Sequence, residues 1–166
     1  NLFKSSKPKY TIQNTVWTKT IVKEAAILQL TMNSDSLLFL YFTDDTKNVF
    51  LDLFISKELS FSEKITSDAP IVLFNANDLK RNLTIVKQRN IIFLDHAFSY
   101  IKEKEILDLL HEQLDIKSFV FYISFDDLIF NNFNTQSLKS IFNKLGFKET
   151  DSIQHSMIDN SIKKLQ

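Results

Sequence analysis

Metal-assisted cleavage of a phosphodiester needs several carboxylates at one strand end, holding two ions about 3.5–4 Å apart. The chain has 20 acidic residues, but not in that arrangement. The first apolar run, residues 25–31, reads as a central strand and offers Gln29, Leu30 and Thr31, with no acid between Ala25 and Asn33. Gln29 and Thr31 are neutral and hold a hard divalent ion poorly. Asp95 follows the apolar run 91–94 and precedes His96. It stands where a metal-binding or Walker B carboxylate would stand. It also stands where a loop aspartate caps a helix or accepts from backbone, and the missing partner motifs favour that second reading. His96, His111 and His155 are far apart in sequence, no pair sits four apart with an acid, and no glycine-rich serine elbow exists. They read as surface or helix-flank residues.

The remaining charged groups are weaker. Asp126–Asp127 and Asp44–Asp45 are neighbours whose side chains diverge, so they read as solvated turns. Lys102-Glu103-Lys104-Glu105 reads as a mixed-charge helix face. Lys80, Arg81, Lys87 and Arg89 gather around one expected helix and read as a solvated face rather than a phosphate-binding one. Lysine plus arginine equals aspartate plus glutamate, 20 each. No global charge draws the chain to a polyanion. There is no cysteine, which removes disulfides, thiol catalysis and thiolate zinc sites. One glycine among 166 residues excludes a Walker A loop or a dinucleotide fingerprint. No apolar run is long enough to span a membrane and no signal peptide stands at the start. A cytoplasmic location is therefore expected. The chain begins with Asn1 rather than Met and is expected to be part of something longer.

Hydrophobic periodicity positions these groups. Residues 1–9 read as a linker or frayed end, and 10–166 as a single domain. Residues 10–16 read as an edge strand, 17–24 as a short helix and 25–31 as a strand. Residues 37–43 and 49–54 read as two more strands, paired antiparallel across a hairpin loop at 44–48. A helix over 56–66 and strand 71–74 follow. Asn77 or Asp78 is expected to cap a helix reaching residue 88, before strand 91–94. Helix 98–114, strand 118–124, helix 136–145 closed by Gly146, and a last helix over 152–165 complete the chain. The expected fold class is α/β: a ribonuclease H-like mixed sheet, with three antiparallel strands and then alternating helices and strands.

On these residues the chain resembles the 3′–5′ exonuclease-like domain of bacterial DNA polymerase I, in its degenerate Bacillus-type form. Asp78-Leu79-Lys80-Arg81-Asn82 lies on the active family's Asn-Leu-Lys-Tyr-Asp, which puts Asn82 where the metal-binding aspartate stands. Leu94-Asp95-His96 and Ser99-Tyr100-Ile101 match the segment that follows. Lys9 to Ile12 and Glu24 to Leu28 resemble the opening of the vestigial domain. The resemblance implies degenerate motif positions at Gln29, Thr31 and Asn82. It further implies no metal, no cofactor and no nuclease activity. The role implied is packing against the polymerase domain of the same parent chain, with DNA, in replication and repair, reached through that parent.

Two other readings stand beside it. One is a divergent nuclease that uses Asp95 with Asp52 or Asp126. The other is a degenerate relative of the P-loop ATPases that serves as an adaptor without binding nucleotide. Residues 91–95 and 119–124 mimic a Walker B strand and its successor. Strand direction separates the readings: antiparallel strands support the polymerase domain, and an all-parallel core supports the ATPase relative.

Overall fold

The computed structural model describes residues 9–80, 83, 88–131 and 133–166. Strands β1 (Thr11–Trp17), β2 (Leu37–Tyr41), β3 (Phe61–Ser62), β4 (Ile71–Asn75), β5 (Asn90–Phe93) and β6 (Ser118–Ser124) form one sheet, in the order β1-β6-β5-β2-β4-β3. Every strand pairing in it is parallel. The helices are α1 (Thr20–Asn33), α2 (Asp44–Ser56), α3 (Tyr100–Leu114), α4 (Thr135–Lys144) and α5 (Ser156–Leu165). The α/β class is as expected. The mixed, ribonuclease H-like sheet with three antiparallel strands is not what forms.

Two elements account for the difference. Residues 25–31 are the middle of α1, not a strand. An apolar run of seven fits either state, and helical spacing decides it here: Lys23 and Ile27 are buried while Ala25 and Gln29 are exposed. Residues 44–54 are helix α2 rather than a hairpin loop and strand. Thr43 Oγ1 accepts from Thr46 N–H at 3.4 Å, and Asp44 and Asp45 occupy the first turn, where the helix dipole favours negative charge. Phe50 and Phe54, four apart, turn inward together. With no hairpin, β2 is free to pair with β4 on one side and β5 on the other, both parallel. The helix expected over 56–66 is also absent. That stretch holds the two-residue β3, and Glu58 leaves α2 in the left-handed region at φ 53°, where glycine is usual. Of the helix expected after Asn77, the described part is a 3-10 turn, Ala76–Asp78; Arg81, Asn82 and residues 84–87 lie outside the described residues.

A parallel sheet is covered on both faces, and β2 shows the result: all five of its residues are buried. Leu37, Phe39 and Tyr41 face a core made with Ile27 of α1 and Phe50 and Phe54 of α2. Leu38 and Leu40 face the opposite core, with Leu107 and Leu110 of α3, Leu138 and Phe142 of α4, and Ile158 and Ile162 of α5. Gly146 follows α4 at φ 92°, as its position predicts, and Phe147 N–H closes back on Phe142 C=O at 3.0 Å. Among the described residues no helix is long and apolar enough to cross a membrane. Thr43→Ala removes the α2 cap and is expected to lower stability by about 1–2 kcal/mol, read as a lower urea midpoint at unchanged slope.

Candidate functional site

In an open parallel sheet, ligands bind beyond the carboxyl ends of the strands, where successive connections leave to opposite sides. That point lies between β2 and β5. From β2 the chain runs through α2 toward the β3 edge; from β5 it runs through α3 toward β6, and the two helices cover opposite faces. The crevice is filled from within. Asp95 follows β5 and is 3% exposed. Its Oδ1 accepts from Phe42 N–H at 2.7 Å. Its Oδ2 accepts from Thr43 N–H at 3.1 Å and from Thr43 Oγ1 at 2.7 Å. Two backbone amides and a hydroxyl just ahead of α2 thus converge on one carboxylate, a geometry that would equally serve an external anion. Burial raises the pKa of Asp95, and the bonds from Thr43 and Phe42 and the charge of Lys23 work against that rise.

Lys23 braces the same end of the sheet. It is 1% exposed, and its Nζ donates to Leu94 C=O and to Asp127 Oδ2, the latter at 3.1 Å. Asp127 also accepts from Ser124 N–H and Oγ, each at 3.0 Å. Asp126 points elsewhere and accepts from Thr20 N–H at 3.0 Å, which caps α1. A small cavity of ≈ 130 Å³ lies between these groups and the start of α2.

A second polar cluster surrounds His96, which is buried rather than on the surface. Its ring stacks on Phe121 at 4.0 Å. Nδ1 lies 2.9 Å from Glu103 Oε1, and Nε2 lies 2.6 Å from Asn14 Oδ1. Asn14 donates its amide to Asp159 at 2.9 Å, so its oxygen is the atom turned to His96. Glu103 further accepts from Ala97 N–H at 2.9 Å and Gln166 Nε2 at 2.8 Å. Both ring nitrogens therefore face oxygen atoms, Nδ1 those of Glu103 and Nε2 that of Asn14. β1, the loop after β5, α3 and α5 are tied together here.

The residues singled out from sequence are dispersed. Gln29 and Thr31 lie on α1, where positions two apart do not share a face, and Thr31 Oγ1 donates to Leu28 C=O. Asn82 lies outside the described residues, as do Arg81 and Lys87. Asp52 is exposed on α2, away from the buried Asp95. Among the described residues no cluster of three histidine, aspartate or glutamate side chains could hold a metal. Glu103 is buried against His96 instead of lying on a solvated face. Arg89 is not a surface cation: it donates to Leu37, Ser67 and Ala69 carbonyls at 3.2, 2.8 and 2.7 Å, closing the opposite end of the sheet. His111 donates to Ile116 C=O, and His155 Nδ1 caps α5 by accepting from Met157 N–H. The Lys23–Asp127 pair escaped sequence reading altogether, because 104 residues separate its partners.

No known family profile matches the chain. Partial similarity exists to the protein translocase subunit SecA of Phocaeicola vulgatus, 43% identical over 54 residues. SecA of Bacteroides thetaiotaomicron and of Bacteroides fragilis are each 41% identical over 54 residues. Each match covers 32% of this chain and 5% of the relative, so the chain matches only a small part of those proteins.

Asp95→Ala leaves two buried amides without an acceptor and is expected to cost about 3 kcal/mol in urea unfolding. The raised pKa has a definite sign. Between pH 3.8, the ordinary aspartate value, and its raised value in the folded state, Asp95 keeps a proton that the unfolded chain has lost; above that it is the carboxylate. Stability contributed by this group therefore falls as pH rises through that window. Asp95→Asn should remove that component of the slope in a series of melts from acid to neutral pH.

Proposed function

We propose that this chain is a non-catalytic α/β domain of a larger cytoplasmic protein, built on an ATPase-like parallel sheet but closed to nucleotide, and that it acts by packing in a translocase-type assembly. One observation carries the reading. The crevice at the strand ends, where such a sheet would take a phosphate, holds the Asp95 carboxylate on the Phe42 and Thr43 amides. A fixed internal anion at bonding distance repels an incoming one and leaves it no donors. The single glycine supports the same reading, since a phosphate-wrapping loop needs several. The all-parallel sheet supports an ATPase relative over the polymerase exonuclease-like domain, whose strand-order argument required antiparallel strands. The translocase setting is supported by the partial SecA similarity.

Chemical rescue tests it. Wild-type protein should show no rise in melting point with magnesium-ATP, manganese or inorganic phosphate, because only a ligand of the folded state raises it. Asp95→Ala vacates the amides, and formate or phosphate should restore a good part of its lost melting temperature. A saturable rise for the wild type with ATP would overturn the proposal, as would an Asp95→Ala protein indifferent to every anion.

A further inference from the structure

Helix α1 is apolar on two opposite sides. Its inner side carries Lys23 and Ile27, which are buried. At about 100° per residue, Ile21, Ala25, Leu28 and Met32 fall on the opposite side and turn away from the sheet. None of the four belongs to either core. Ile21 is 70% exposed and Met32 79%. Ala25 is exposed and Leu28 half-buried. A lone apolar side chain in water needs no explanation. Four on one line, spaced by four, three and four residues, make the seam along which one helix packs on another. Val22 and Gln29 flank the seam on one side, and Glu24 and Thr31 on the other, so Glu24 is its one charge.

We propose that this face joins two copies of the chain, α1 against α1, antiparallel about a two-fold axis level with the midpoint of Ala25 and Leu28. The occupant follows from the seam itself. Its spacing reads the same in both directions, so a second copy laid head to tail meets it layer for layer. Ile21 meets the partner's Met32, and Ala25 meets the partner's Leu28. A small side chain thus stands opposite a large one, which lets the helices interlock. A parallel pair would set Ala25 against the partner's Ala25 and leave a gap between two bulky layers. Charge agrees. Glu24 falls beside the partner's Thr31, and Val22 beside the partner's Gln29, so no like charges are opposed. A seam with one charge also offers little to a strongly charged partner. The contact is isologous, with the same patch used by both copies. Three helical turns make a small interface, so the dimer is weak, with a Kd on the order of 100 µM. The seam lies on the far side of α1 from the sheet and does not rest on the function proposed for the crevice.

Two measurements on the full chain test this. Sedimentation velocity from about 5 to about 500 µM should show a monomer passing into a dimer. Ile21→Glu with Met32→Glu sets like charges against each other in both outer layers and should keep the protein monomeric throughout. The second measurement reads the geometry. The chain has no cysteine, so introduced thiols have no competitor. Ile21→Cys and Met32→Cys proteins are oxidised mildly, each alone and in an equal mixture. A disulfide needs Cα atoms within about 7 Å. The antiparallel pair brings position 21 to position 32 of the other copy, and holds each site about 16 Å from its own equivalent along the axis. The mixture should therefore cross-link at least about tenfold more than either protein alone. A monomer at every concentration would overturn the proposal, the seam then belonging to a different partner. Equal cross-linking by the single variants would overturn it too, as would a glutamate variant that dimerises like the wild type. If the glutamate variant fails to fold by circular dichroism, wild-type sedimentation and the cysteine pair decide.

Discussion

A carboxylate with almost no water around it must be held by the protein's own donors, and Asp95 takes its donors from the neighbouring strand's end. Phe42 and Thr43 give it two amides and a hydroxyl, all within 3.1 Å. These bonds join the ends of β5 and β2, the two central strands from which the chain departs to opposite faces. Thr43 is also the residue that starts α2, so the group that closes the crevice is bonded to the group that caps the helix. The sheet, the helix start and the filled site are one arrangement. Disturbing any part of it exposes buried polar groups, each costing roughly 1–3 kcal/mol.

Around that point the protein repeats one solution. Charge buried or half-buried is placed where strands end, and each charge is matched by partners from another element, in the case of Glu103 also by the loop just before its own helix. Lys23 reaches from α1 to Leu94 and Asp127; Glu103 reaches from α3 to His96, Ala97 and Gln166; Arg89 collects three carbonyls at the opposite end of the sheet. Among the described residues no buried side-chain nitrogen or oxygen lacks a partner. Groups that could do chemistry are occupied in holding secondary structure together.

Near-absence of glycine shapes the same outcome. Without it, left-handed turns among the described residues fall to Glu58 and Asp115, at φ 53° and 55°. An L side chain accepts that region at a cost of about 1–2 kcal/mol, which the bonds closing α2 and α3 help to offset. The one glycine is reserved for the end of α4, where Phe147 closes back on Phe142.

Sequence by itself determined the α/β class, the strands at 71–74, 91–94 and 118–124, the three helices after residue 98, the Gly146 terminus and the lack of a phosphate loop. These follow from local signals: β-branched runs, helical spacing and the conformational range of glycine. It misplaced residues 25–31 and 44–54, because a short apolar run satisfies strand and helix alike. The Thr43-Asp44-Asp45-Thr46 cap that would have settled the second case reads equally well as a turn. It read Asp95 correctly as a backbone-bonded loop residue, but could not name Phe42 and Thr43, more than 50 residues away, as its donors. It set His96, Glu103 and Arg89 on the surface, where single-sequence reasoning puts charge. Only the tertiary structure decided strand order, the parallel direction of β2 and the identity of each buried charge's partner, because all three depend on elements brought together by burial rather than by spacing along the chain.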